Sequence, residues 1–255
     1  MAVPRKAYPT PALEKGLDIL ELFAREPMGL TKSEVARRLE RSVSEIFRML
    51  LCLEERGYIA RAEGDDRFRL TLRLFHLAQE HPPTKRLIAE AEPIMQDVAH
   101  KLRQSCHLGV LNDANVVILA QVDSPISPGF SVRPGSVVDL MRAASGHVIL
   151  SFLSDHARTR VLEQWQGNTH SKVPRDLETH LRSIRKRGFE ERESYEIQGV
   201  INVSFPVLDE RHTAIAALTV PYLARIGESI DVKTVRAILK TASERLSSEM
   251  GFKIA

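Results

Sequence analysis

A short stretch near the N-terminus is rich in arginine and serine. It contains Arg41, Ser42, Ser44, Glu45 and Arg48. An arginine can pair with two acceptor atoms of guanine, a glutamate can accept a hydrogen bond from cytosine, and a serine can hold a phosphate. The stretch therefore predicts contacts in the major groove of DNA, provided that one helix presents these side chains together. Glu45 opposes sequence-independent binding, because its carboxylate repels phosphate.

Five further residues suit phosphate binding. Arg61, Arg67 and Arg69 fall on a predicted β-hairpin, where they would meet phosphates or a minor groove. Thr31 and Lys32 stand at the predicted N-terminus of a helix, and the free amides of such an end bind anions. The residues alone leave an alternative open, because surface arginines are usually only solvated and similar small domains also bind proteins.

Helix signals indicate how the first stretch would be held. Thr10 precedes a proline at the start of an apolar stripe, so the first helix is expected to begin there with a hydroxyl cap. Two capping boxes, Thr31–Glu34 and Ser42–Glu45, predict the N-termini of the second and third helices. The turn between these two helices is short, and Gly57 is placed to end the third in a left-handed conformation.

After Gly57 the pattern changes to strands. Residues 58–61 are a strand candidate, residues 62–66 have turn chemistry, and residues 67–72 alternate polar and apolar side chains. The predicted order is helix, helix, short turn, helix and β-hairpin, which is a winged helix-turn-helix. In this motif the N-terminal residues of the third helix enter the major groove, while its apolar side packs on the other helices.

The rest of the chain mixes helix and strand patterns. Helices are predicted at 85–104, 147–153, 155–164, 175–187 and 232–250, and strands at 106–111, 116–122, 130–133, 200–208 and 213–222. Strands at both ends with helices between them indicate an α+β domain. Two prolines within residues 80–84 interrupt a helical pattern, so we expect a first domain at 1–80, a linker helix at 81–104 and a second domain at 105–255.

Several short motifs follow one another along the chain in the order seen in a known protein family. They are ALEKGLDIL at residues 12–20, VARRL at 35–39, LEERGYI at 53–59, Arg187-Gly188-Phe189, and Gly199-Val200 followed by Pro206-Val207. In this order and spacing the chain resembles the IclR-type family of bacterial transcription regulators. Ser44-Glu45 stands where the family commonly has Ser-Thr, and Gly146-His147 where it commonly has Gly-Lys. The resemblance implies operator DNA binding, a GAF-like effector-binding domain, and a homodimer or a dimer of dimers.

The resemblance places the effector between a small-residue turn and a late strand. Carried over position by position, it implicates Ala144, Ser145, Arg192, Glu193 and Asn202, with Val138, Leu140 and Met141 as apolar walls. Ser204 shares a strand face with Asn202. The amides before the predicted helix at 147 could hold a carboxylate, and an inward Arg192 would pair with an acid. We therefore expect a small organic or aromatic acid, although Asn202, Ser204 and Arg192 could equally face solvent.

The sequence supports catalysis or metal binding less well than DNA and effector binding. Cys106 and His107 are neighbours on a predicted strand and point to opposite faces, so they cannot form a nucleophile–base pair. Ser145 lacks the flanking glycines of a nucleophile elbow. The two cysteines, Cys52 and Cys106, have no partners at zinc-ligand spacing and fit a reducing compartment. We predict no enzyme activity, no cofactor and no metal site; a catalytic domain using Ser145 or Cys106 remains an alternative.

Length and composition are consistent with this interpretation. The chain has 255 residues, 43% hydrophobic and 27% charged, as in a folded globular protein. Its net charge is only +3, so we expect DNA affinity to need several binding domains together and to fall steeply with salt. The longest apolar stretch, at 213–224, is too short to span a bilayer, and residues 1–5 do not resemble a secretory signal. A cytoplasmic protein without a membrane partner is expected.

The sequence thus predicts a regulator whose operator affinity changes when an acid binds. The helical segment at 72–104 is the expected transmitting element, because it joins the two predicted domains. The alternative from another class is an effector-binding module that acts through protein partners.

Overall fold

The computed structural model describes residues 10–61, 64–80, 82–227 and 229–252. The chain divides into two units, residues 1–85 and residues 86–255. The start at residues 1–5, Ala62 and Glu63 of the predicted hairpin turn, and His81 of the predicted helix break lie outside the described residues. No helix within the described ranges is both long enough and apolar enough to cross a membrane.

Helices and a small sheet form the first unit. In chain order they are α1 (Pro11–Ala24), β1 (Leu30–Thr31), α2 (Lys32–Arg38), α3 (Val43–Glu55), β2 (Ile59–Arg61), β3 (Arg67–Leu70) and α4 (Arg73–Glu80). Strand β3 pairs antiparallel with β1 on one side and β2 on the other. Ile19, Val35, Ile46 and Leu50 are fully buried in the shared core. The predicted winged helix-turn-helix is confirmed, with β1 as an additional short strand.

Capping boxes close the N-termini of α2 and α3, as predicted. The Oγ1 of Thr31 accepts from the amide of Glu34 at 3.3 Å, and Oε2 of Glu34 accepts from the amide of Thr31 at 2.9 Å. Ser42 and Glu45 repeat this arrangement at 3.3 and 3.0 Å. Both helices therefore begin at positions that their own sequences determine.

The expected cap of α1 is wrong. The side chain of Thr10 makes no capping hydrogen bond. Its backbone amide instead donates to Oε1 of Glu14 at 3.3 Å. The proline at the first helical position has no amide to satisfy, so the helix can begin there without a hydroxyl acceptor.

A six-stranded antiparallel sheet organises the second unit. Helix α5 (Pro82–Leu102) leads into β4 (Cys106–Asn112), β5 (Asn115–Val122), β6 (Val137–Asp139), α6 (Ala144–Phe152), α7 (Asp155–Thr169), α8 (Leu177–Arg187), β7 (Glu190–Glu193), β8 (Val200–Leu208), β9 (Ala214–Leu223) and α9 (Val232–Glu249). The strand order is β6-β5-β4-β9-β8-β7. The predicted α+β class is confirmed.

The sheet separates two hydrophobic clusters. On one face α5 and α9 pack against it through buried side chains such as Met95, Leu239 and Val203. On the other face α6 packs with α7 and α8, and Val148 and Leu181 are buried there. Since neighbouring strand residues point to opposite faces, each buried side chain of the sheet lies either on the face covered by α5 and α9 or on the face covered by α6.

Three short features differ from the sequence predictions. The strand expected at 130–133 is absent, and β6 at Val137–Asp139 occupies the sheet edge instead. Strand β7 was not predicted, because its sequence, Glu190-Glu191-Arg192-Glu193, has no apolar alternation. Helix α6 begins at Ala144 rather than residue 147, so the small-residue turn is the first turn of the helix. The secondary structure of such short segments depends on pairing with a neighbouring strand or on packing against the sheet, and the local sequence does not contain that information.

Gly146 allows the first turn of α6 to lie directly on the backbone of Leu140. A Cβ at this position would overlap the carbonyl group of Leu140. Backbone cannot move aside as a flexible side chain can, so only glycine fits here.

We therefore expect Gly146→Ala to destabilise the second unit by about 3 kcal/mol or more, because the added methyl forces α6 away from the sheet. Urea unfolding followed by circular dichroism measures the change. Gly167→Ala in α7 is the matched control, since a Cβ there meets nothing within 4 Å and alanine favours helix. An equal stability of the two variants would contradict the proposed close packing.

Candidate functional site

The predicted major-groove residues lie just before α3 and on the exposed face of its first turns. Arg41, Ser42, Ser44, Glu45 and Arg48 are all exposed, whereas the opposite side of the helix is buried in the core. Arg48 has no hydrogen-bond or ion-pair partner among the described residues. Its guanidinium is therefore available to a partner molecule.

Glu45 and Arg41 are held by internal contacts. Oε2 of Glu45 accepts from the amide and hydroxyl of Ser42 at 3.0 and 2.9 Å, and its Oε1 pairs with Nζ of Lys15 at 3.0 Å. The Ser42 amide and Lys15 lower the pKa of Glu45 to about 2. Arg41 pairs through Nη2 with Oδ2 of Asp18 at 3.4 Å. The structure thus assigns Glu45 to the helix cap, and a base contact would have to compete with that role.

The hairpin arginines also make internal contacts. Arg61 forms a two-pronged ion pair with Glu54, with N–O distances of 2.8 and 3.2 Å. Arg67 donates to Oε2 of Glu34 and to the carbonyl of Gly29, both at 3.0 Å. Arg69 donates to the carbonyl of Met28 at 3.2 Å.

These contacts join the hairpin to the helical part of the unit. The guanidinium of Arg67 has two kinds of internal partner, the capping carboxylate of Glu34 and the backbone carbonyl of Gly29. Thr31 is likewise engaged by Glu34 through both its amide and its hydroxyl, at 2.9 and 3.1 Å. Lys32, next to it, is exposed.

A small cavity, which we call the α6 cavity, lies in the second unit at the N-terminus of α6. Its volume is about 40 Å³, and it is lined by His107, Ile118, Phe130, Val132, Val138, Ala143, Ala144, Ser145, Ser194, Tyr195, Glu196, Asn202 and Thr219. Four predicted effector residues, Val138, Ala144, Ser145 and Asn202, are brought together here. No side chain caps α6, so its first amides are free to hold an anion.

The other predicted effector residues lie elsewhere. Leu140 is fully buried in the hydrophobic cluster beneath α6. Glu193 is exposed at the end of β7. Ser204 is fully buried and shares a hydrogen bond with Oγ1 of Thr219 at 2.7 Å, so the alternative that Ser204 faces solvent is wrong. Asn202, in contrast, lines the α6 cavity and is half-buried.

Met141 and Arg192 line a different cavity, which we call the histidine cavity. Its volume is about 420 Å³, and its lining is Met141, His147, Pro174, Asp176, Leu177, His180, Arg187, Glu190, Glu191 and Arg192. Nη1 of Arg192 lies 3.1 Å from Nδ1 of His147. The two cavities share no lining residue, so Arg192 faces a neighbouring site and not the α6 cavity.

His107 is a cavity residue that sequence reasoning missed as a binding group. It is 7% exposed, and its Nδ1 has no hydrogen-bond partner among the described residues. Burial lowers its pKa to about 4, so the ring is neutral near pH 7. Strand alternation could have indicated its position, since Cys106 packs in the cluster with α5 and α9 and His107, its neighbour on β4, must point to the opposite face of the sheet. A buried imidazole with an unused nitrogen suits a ligand that offers a donor or acceptor.

Comparison with known families gives matches over most of the chain. The family model described as the IclR helix-turn-helix domain matches residues 12–63. The model described as the C-terminal part of the bacterial transcriptional regulator IclR matches residues 83–248. Together they cover both units of the structure.

Curated relatives and solved structures agree with these matches. The transcriptional regulator KdgR of Escherichia coli is 25% identical, over 93% of this chain and 92% of that protein. Thermotoga maritima IclR has a TM-score of 0.72 and 26% identity, over 94% and 98% of the two chains. An IclR homologue of Microbacterium hydrocarbonoxydans, solved with 4-hydroxybenzoate, has a TM-score of 0.76 and 22% identity over the same shares. The curated relatives are named as regulators, which confirms the prediction of no enzyme.

The buried His107 should make stability depend on pH. Its pKa is about 4 in the folded chain against an ordinary 6.5, so the unfolded state binds the proton first and stability falls as pH drops from 6.5 towards 4. The full effect is about 3 kcal/mol. His107→Gln should flatten the pH dependence of urea unfolding, although not completely, because burial also lowers the pKa of His147 to about 4.

His156→Gln is the matched control for this measurement. His156 is exposed on α7, so its replacement removes one imidazole without disturbing the core. If His107→Gln retains the wild-type slope, His107 is not buried and neutral in the folded protein.

Proposed function

Because the chain belongs to the IclR family of bacterial transcriptional regulators, we propose that α3 binds an operator and that a small carboxylic acid in the α6 cavity changes that affinity. The acid is organic or aromatic, and the DNA-binding form is a homodimer or a dimer of dimers. Two copies would bring two α3 helices to the half-sites of a near-palindromic operator.

The observation that carries DNA binding is the state of Arg48. It is exposed on α3 and unpaired among the described residues, while Arg41, Arg61 and Arg67 all pair with carboxylates. An unpaired guanidinium can contact guanine without first losing an internal partner. Ser44, one helical turn before Arg48, is an exposed group suited to a base edge, and Lys32 at the start of α2 is an exposed group suited to a phosphate.

Electrostatics at the α6 cavity supports an anionic ligand. The helix N-terminus there has no side-chain cap, and Ser145 of its first turn lines the cavity. Asn202 and the unused nitrogen of His107 add polar groups on the sheet side. A ligand with a carboxylate at one end and a polar group at the other would bind the helix amides through the carboxylate and Asn202 and His107 through the polar group. The relative solved with 4-hydroxybenzoate has such a pair of groups in its ligand.

Cavity size requires that binding change the structure. The volume of about 40 Å³ is well below the ~150 Å³ of a cavity known to hold benzene. Phe130 and Val132 line it from the segment between β5 and β6, which forms no regular element at these residues. We infer that the acid displaces this segment. A ligand that binds one arrangement better than another can then shift the operator affinity, with α4 and α5 as the connecting segment.

Arg48→Ala should weaken operator binding by about 5-fold to 150-fold, the usual range for a lost base contact. Gel shifts with the DNA upstream of the protein's own gene measure this effect, and circular dichroism checks the fold. The control is Arg160→Ala, which removes an equal charge from an exposed site on α7. Unchanged affinity in Arg48→Ala would exclude Arg48 from the interface. A wild-type protein that shifts no upstream DNA would favour a module acting through protein partners.

Asn202→Ala should weaken binding of the acid by about tenfold, because a polar group of the ligand loses its partner. Calorimetry with 4-hydroxybenzoate and a panel of related aromatic and aliphatic acids measures the affinity. Asn168→Ala, at an exposed position of α7, should bind as the wild type does. Equal affinities of the acid for Asn202→Ala and Asn168→Ala would show that the acid does not bind in the α6 cavity. A bound acid that leaves operator affinity unchanged at saturation would disprove the coupling.

A further inference from the structure

Three potential metal ligands meet at the histidine cavity. His147 on α6, His180 on α8 and Glu190 on β7 each place one ligand atom within 4.8 Å of the others. Nε2 of His180 lies 2.6 Å from Oε2 of Glu190, and the two imidazole rings meet edge to face with centroids 5.2 Å apart. The sequence suggested no metal site, because these residues are far apart along the chain. Their meeting depends on the pairing of β7 with β8.

Hydrogen bonds already orient two of these ligands. Nε2 of His147 lies 2.8 Å from the carbonyl of Met141, and since a carbonyl only accepts, the proton of the neutral ring is on Nε2. Nδ1 therefore keeps its lone pair. Oε1 of Glu190 accepts from Nη2 of Arg187 at 2.9 Å and from the amide of Glu191 at 3.0 Å, which leaves Oε2 to face His180. Such outer contacts, a ring N–H on a carbonyl and a braced carboxylate, are typical of metal ligands.

We propose that His147, His180 and Glu190 bind one divalent transition-metal ion of the zinc class. Two imidazoles and one carboxylate are the donor set that this class prefers, whereas calcium and magnesium prefer oxygen alone. The fourth position would open into the histidine cavity of about 420 Å³, where water or an acidic group can complete the coordination. This site is independent of the α6 cavity.

The geometry needs only small adjustments. Bonds of about 2.0–2.1 Å in a tetrahedron place ligand atoms about 3.3 Å apart. His180 and Glu190 are closer than this, at 2.6 Å, and the widest separation in the cluster is at most 4.8 Å. The first distance must grow by about 0.7 Å and the widest must shrink by at most about 1.5 Å, which rotations of the side chains can supply. His180 is only half-buried, so its ring can turn.

Arg192 competes with the metal for His147. Its Nη1 is 3.1 Å from Nδ1 of His147, where the metal would bind, so the guanidinium must leave as the ion enters. Arg192 is half-buried at the cavity and can turn towards solvent. The positive charges of Arg187 and Arg192 lower the affinity for a cation, and the carboxylates of Glu190, Glu191 and Asp176 offset them. The metal should therefore bind more tightly when Arg192 is shortened.

Cobalt titration of the untagged full-length chain tests this site, because the visible absorption of Co²⁺ reports four-coordinate geometry. The background is Cys52→Ser, since Cys52 is an exposed free thiol and thiolates are ligands for the same metals. We expect saturation at one ion per chain and displacement by Zn²⁺. His147→Gln and His180→Gln should each weaken binding by at least about tenfold, and Arg192→Ala should strengthen it. His156→Gln is the control and should bind as the parent does.

Opposite results would overturn the proposal. These are the absence of saturable binding, or equal affinity in His147→Gln, His180→Gln and the control. Binding of inorganic phosphate without binding of Co²⁺ or Zn²⁺ would assign the cavity to anions held by Arg187 and Arg192. His180→Gln keeps the test interpretable if other variants misfold, because His180 is half-buried and its helix is anchored by other residues, such as Leu181. None of these readouts uses operator DNA or the acid.

Discussion

The contact between the first turn of α6 and the backbone of Leu140 is the constraint on which the second unit depends. Only a residue without a Cβ permits it, and Gly146 is that residue. Ala144 and Ser145 precede it and line the α6 cavity, whereas His147 follows it and lines the histidine cavity. One close approach of backbone to backbone therefore sets the position of both cavities. The uncapped helix end that we propose for an anion and the imidazole that we propose for a metal both depend on this turn.

In the first unit, internal ion pairs divide the charged residues into structural and available groups. Glu34 closes α2 and also receives Arg67 from the hairpin, so one carboxylate joins a helix cap to the wing. Glu45 caps α3 and pairs with Lys15. Exposed pairs of this kind contribute little stability individually, but they fix geometry. Arg48 and Lys32, by contrast, form no such pair among the described residues.

Local signals in the sequence predicted the elements whose causes are local. The two capping boxes fall where the sequence places them, because each involves residues three positions apart. Strand β8 also has the predicted bounds, since its nine residues form a run rich in valine and other apolar side chains that ends at a hairpin turn. Strands β6 and β7 could not be predicted, because each is short and is held by its neighbour. The candidate effector residues separated for the same reason: Arg192 lies on β7, and no local pattern says which cavity that strand borders.

The sequence by itself determined the class of the protein: a winged helix-turn-helix, an α+β sensor unit, and the family, because order, spacing and periodicity are properties of the chain. Tertiary structure alone decided which side chains are free and which are committed. Arg48 and Arg67 look alike in the sequence, yet Arg67 is held by Glu34 and the Gly29 carbonyl while Arg48 has no described partner. His147, His180 and Glu190 form a cluster only after β7 joins the sheet. The reason is that such contacts join residues distant along the chain, and packing selects them.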